Sequence, residues 1–72
     1  MKLYDEHGQT VKIGNIVRII LKTEDVYKGI VTVLTKTGVD IEENGKYMFI
    51  PYDMIDKIYI EDITYIINKG VI

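Results

Sequence analysis

Apolar residues alternate with polar ones in short runs along most of the chain. From Ile16 to Lys22, Val17, Ile19 and Leu21 share one face while Arg18 and Lys22 share the other, the period-two pattern of a half-buried strand. Val39 and Ile41 alternate with Asp40 and Glu42 in the same way. Turn signals arrive about every ten residues, at Asp5-Glu6-His7-Gly8, Gly14-Asn15, Thr23-Glu24-Asp25, Lys36-Thr37-Gly38, Asn44-Gly45 and Glu61-Asp62, a rhythm typical of an all-β barrel or sandwich. Between them the pattern predicts extended segments over Lys2 to Tyr4, Thr10 to Ile13, Ile16 to Lys22, Val26 to Thr35, Val39 to Glu43, Lys46 to Ile50, Ile55 to Ile60 and Thr64 to Asn68. None has the length of an ordinary helix.

Asn44-Gly45 joins two of these segments and is a strong hairpin signal, because both residue types accept positive φ. Gly29 interrupts the long Val26 to Thr35 run, where a glycine marks a bulge or a bend. Pro51 has no N–H for a ladder, so the strand before it ends there and Tyr52-Asp53-Met54 forms one tight turn, 3₁₀ in character. The expected architecture is all-β: one domain over residues 1–72, a small barrel of five or six strands with an N-terminal hairpin. Its expected core is Val17, Ile19, Leu21, Val31, Val33, Val39, Ile41, Ile58 and Ile60.

Composition sharpens this. A 72-residue chain buries only about 60% of the surface its unfolded form exposes. With no cysteine it has no disulfide to reinforce a thin core and no thiolate for zinc or nucleophilic chemistry. Hydrophobic residues reach 47%, chiefly Ile, Val and Tyr, which is strand composition. The tail Ile63-Thr64-Tyr65-Ile66-Ile67 is apolar on both faces, and a single barrel cannot bury both sides of its last strand. The expectation is a homo-oligomer with Ile63, Tyr65, Ile66 and Ile67 at its interface, since unpaired edges and apolar patches are normally covered.

Candidate chemistry is sparse. His7, the sole histidine, stands in a turn beside Asp5 and Glu6 without a second ligand at metal-binding spacing. Asp40, Glu42 and Glu43 read as a solvated acidic face. The six glycines are isolated, so no phosphate-cradling loop is present, and serine is missing altogether. No catalytic residue, metal or cofactor is expected, and no small-molecule substrate is evident. The net charge of −2 supplies no general attraction to nucleic acid. Local binding of single-stranded RNA would fall to Tyr52 and Tyr59 as stacking rings, with Lys46 and Lys57 on phosphates. The opening Met-Lys-Leu-Tyr-Asp-Glu has no apolar leader, and no run approaches the roughly 20 apolar residues of a membrane span. The expected address is cytoplasmic.

From Gly14 to Ile60 the chain resembles Sm-like domains of the SH3-like barrel class. Val17-x-Ile19-x-Leu21 followed by Gly29, Val31 and Leu34 is similar to the first Sm motif, and Ile55-x-x-Ile58 with Ile60 to the second. The resemblance implies a small barrel, rings built by joining the fourth strand of one subunit to the fifth of the next, and RNA binding. Thr35-Lys36-Thr37 and Tyr52-Asp53 stand where that family places its uridine-binding and basic residues, so uridine recognition is not implied. Leu3-Tyr4-Asp5-x-x-Gly8 with Val11-x-Ile13-Gly14-Asn15-x-Val17 is also similar to the opening of PRC-barrel and KOW-type domains. The two functional expectations are a self-associating protein-interaction or assembly module without enzymatic activity and, as the alternative, an Sm-like ribonucleoprotein module.

Overall fold

Backbone pairing converts the alternating pattern into one antiparallel sheet. The computed structural model describes residues 2–61, and its elements are β1 (Ile16–Leu21), β2 (Val26–Leu34), β3 (Gly38–Glu43), β4 (Lys46–Pro51), a 3₁₀ turn (Tyr52–Met54) and β5 (Ile55–Glu61). The strand order is β4-β3-β2-β1-β5. No α-helix is found among the described residues. Neither do β4 and β5, at the two edges, pair with each other there, so the sheet is open. The predicted sixth strand over Thr64 to Asn68 lies outside the described residues.

β2 is shared between two ladders. Its first half pairs with β1, from Ile20↔Val26 to Ile16↔Ile30, and its second half pairs with β3, from Ile30↔Glu42 to Leu34↔Val39. Gly29 stands where one ladder gives way to the other. A Cβ there would lie 2.8 Å from the Glu42 carbonyl oxygen and 3.3 Å from the Ile41 Cβ, so the missing side chain lets β3 approach. The Asn44-Gly45 hairpin forms as expected, with φ of 53° and 79° at the two turn positions.

The core comprises Val11, Val17, Ile19, Leu21, Val31, Val39, Ile41, Ile50 and Ile58. Seven of these belong to the predicted set, and two predicted members do not. Val33 is 43% exposed, because the β2–β3 register slips: Val31 faces Ile41 but Val33 faces Asp40, leaving Thr32 as the extra residue of a bulge. Beyond it the parity of β2 inverts, so Leu34 turns inward and Val33 outward. The Thr32 hydroxyl donates to the Asp40 carbonyl at 3.2 Å. Ile60, near the end of β5, is only half-buried.

The N-terminal hairpin is present in reduced form. Instead of two strands there is a single bridge, Tyr4↔Thr10, around a turn closed by the Asp5 N–H on the Gln9 carbonyl at 2.8 Å. Val11 follows it into the core, its N–H donating to the Leu3 carbonyl at 2.8 Å.

Candidate interaction surfaces

The side chains proposed for RNA are dispersed over the sheet. Lys46 opens β4 at one edge; Lys57 and Tyr59 lie on β5 at the other. Tyr59 is already engaged: the Arg18 guanidinium sits 4.7 Å from its ring centroid and the His7 ring meets it edge-on at 6.3 Å. Arg18 is itself held by Glu61 at 3.4 Å. One face of the Tyr59 ring is thus covered by a cation, the position a stacked base would need.

Tyr52 lies elsewhere, in the 3₁₀ turn. Its hydroxyl donates to the Thr35 carbonyl at 2.7 Å and its N–H to the Thr37 carbonyl at 3.0 Å, tying the turn to the β2–β3 loop. Burial raises the Tyr52 pKa above its ordinary value of 10.0, since a phenolate is costlier to desolvate than a phenol. The ring borders a shallow groove of about 300 Å³ floored by Leu3, Val11 and Leu34, with Lys2 and Lys12 at its rim and no carboxylate in its lining. Lys2 and Lys12 escaped the sequence reading because only the folded N-terminal turn carries them to Tyr52.

His7 occupies an exposed turn, but its neighbour Asp5 is buried. Asp5 Oδ1 accepts the His7 N–H at 3.0 Å and the Gln9 N–H at 2.7 Å, while Oδ2 has no hydrogen-bond partner. Asp5 is therefore the organiser of the turn. The signal was the Asp-x-x-Gly spacing, an aspartate capping its own loop ahead of Gly8 at φ 82°. So organised, the turn sits against β5: the Glu6 N–H donates to the Ile58 carbonyl at 2.9 Å. Among the described residues no group of three His, Cys, Asp or Glu side chains could hold a metal ion, and no helix is long and apolar enough to cross a membrane.

The edge at β4 is different in kind. It carries Tyr47 at 72% exposure, Phe49 at 47% and Met48 at 39%, and no described residue pairs with its outer side. Tyr47 and Phe49 extend the outer face past Glu42 and Asp40, whereas Met48 follows Ile41 on the inner side. Beside Met48 a cleft of about 330 Å³ is lined by Tyr27, Lys28, Ile41, Glu43, Lys46 and Tyr47. The predicted interface residues Ile63, Tyr65, Ile66 and Ile67 lie outside the described residues.

The sequence matches no protein-family model, and no curated protein or solved structure matches it.

Proposed function

We propose that this chain is a non-enzymatic assembly module, a small SH3-like barrel that works by associating with further copies of itself. The carrying observation is β4: an edge strand that exposes three consecutive large apolar residues, Tyr47, Met48 and Phe49, beside backbone groups that no described residue pairs with. Soluble proteins normally blunt such edges with charge, proline or a covering segment. Among the described residues only Lys46 and Pro51, at the two ends of the strand, do so. Covering the edge with another copy satisfies its N–H and C=O groups and removes apolar surface from water in one step.

The test is solution mass by light scattering for the intact chain and for Phe49→Lys. The intact chain should exceed a monomer at micromolar concentration, and Phe49→Lys should return it to monomer with an unchanged circular dichroism spectrum, since Phe49 lies outside the core. A monomeric mass for the intact chain would overturn the reading.

The RNA alternative draws on a separate observation, the carboxylate-free groove in which Tyr52 meets Lys2 and Lys12. Binding of labelled poly-uridine and poly-adenine at two salt concentrations tests it. Affinity that weakens with salt and with Lys12→Glu would support this second reading, and flat titrations would dismiss it.

A further inference from the structure

The two edges of the sheet differ in availability, and this determines which of them a second copy can use. On β5 the Ile58 carbonyl points away from β1 and is already taken by the Glu6 N–H at 2.9 Å, with the His7 ring packed against Tyr59 of the same strand. A strand added there would have to displace the Asp5–Gly8 turn, whose anchor Asp5 is buried and doubly hydrogen-bonded. On β4 no described residue stands in the way. We infer that the chain pairs β4 to β4 of a second copy, antiparallel about a two-fold axis at Met48, rather than joining β4 of one copy to β5 of the next. This inference rests on the self-association proposed above and specifies its partner surface and symmetry.

The register follows from the backbone. The two-residue Asn44-Gly45 turn makes Glu43↔Lys46 a hydrogen-bonded pair, and such pairs alternate along an antiparallel ladder, so Met48 and Ile50 also point their N–H and C=O groups at β3. The outward groups on β4 are therefore those of Tyr47 and Phe49, followed by the Pro51 carbonyl.

In a continued sheet, outer-face residues must stand beside outer-face residues, which leaves the axis at Tyr47, Met48 or Phe49. With the axis at Phe49, Tyr47 faces Pro51 of the second copy, which has no N–H, and the Tyr47 carbonyl is orphaned. An axis at Tyr47 sets Phe49 opposite the turn residue Gly45. With the axis at Met48, Tyr47 faces Phe49 in both directions, and every outward N–H and C=O of these two residues finds a partner.

Side chains agree with that register. Tyr47 and Phe49 become directly opposed aromatic pairs on the outer face, a favourable cross-strand combination. Each Met48 meets its counterpart on the inner side, beside the cleft that Tyr27 and Ile41 line. An unbranched thioether adapts to such a space more readily than a branched residue would. The edge is thus complementary to itself, as a two-fold interface requires.

The absence of cysteine makes a direct test available. Residues flanking the axis form a non-hydrogen-bonded pair with Cα atoms about 4.5 Å apart, inside the range a disulfide spans. Met48→Cys should oxidise to a covalent species of twice the chain mass, with no larger products, and a short bismaleimide should join the same variant if the disulfide geometry proves tight. Combining Met48→Cys with Ile60→Cys tests the competing β4-to-β5 arrangement, in which each copy links to two others and a ladder of multiples results. An oligomeric intact protein that yields this ladder from the double variant, or that yields no covalent dimer from Met48→Cys with either reagent, would overturn the inference and leave self-association standing. A monomeric intact protein by light scattering would overturn both.

Discussion

Ile19 and Val33 are similar side chains at positions of the same apparent strand period, yet the fold treats them oppositely. Ile19 is fully buried between Tyr27 on β2 and Ile58 on β5. Val33 has been turned outward by the bulge at Thr32. Truncating the first leaves a cavity in a thin core, so Ile19→Ala should cost about 2–5 kcal/mol. Truncating the second removes surface that water already reaches, so Val33→Ala should stay within about 0.5 kcal/mol. Urea midpoints for the two variants check both figures. A loss of comparable size at Val33 would mean that β2 runs without its bulge.

At the scale of elements, the N-terminal turn does more than connect. Asp5 supplies the acceptor for two of its backbone N–H groups, and the turn in turn covers the β5 edge through Glu6 and His7. Asp5→Ala should cost about 1–2 kcal/mol, in line with loss of a capping side chain, and should speed amide exchange at Glu6 relative to the β1 and β2 amides. Unchanged exchange at Glu6 would show that the turn is held by something other than this carboxylate.

The same elements show what a linear reading can reach. The run Ile16 to Lys22, the Asn44-Gly45 hairpin and the end of a strand near Pro51 were legible because each is dictated locally, by side-chain period or by backbone chemistry at one or two residues; the bulge expected at Gly29 falls at Thr32 instead, and Gly29 serves the close approach of β3. The burial of Asp5 was not legible, since the turn that carries it is held against β5 through Glu6 and His7, more than fifty residues away in the chain. The Thr32 bulge was hidden for a related reason: nothing in Val31-Thr32-Val33 departs from alternation, and only the pairing with β3 selects the slip. Among the candidate site residues the sequence showed which types were present but not which were already engaged, as Tyr59 is by Arg18.

At the scale of the whole molecule, stability and association become one problem. Nine buried apolar side chains among the described residues form the core of a chain with no cysteine, and domains of this size retain only a few kcal/mol after conformational entropy is subtracted. If β4 pairs with a second β4, part of what keeps each copy folded comes from the other, and mass action then ties the melting temperature to concentration. A tenfold rise in concentration adds about 1.4 kcal/mol per dimer, or roughly 0.7 kcal/mol per chain. For a domain of this length each kcal/mol moves the midpoint by about 4–8 °C, so Tm should climb by about 3–6 °C per decade of concentration. Phe49→Lys should flatten that dependence, and its Tm should match the value to which the intact chain falls on dilution, because the substitution removes the interface and leaves the core intact. Calorimetric scans of both proteins over two decades of concentration provide the check. A concentration-independent Tm in the intact chain would show that each copy of the sheet is stable alone and that β4 contributes nothing to it through pairing.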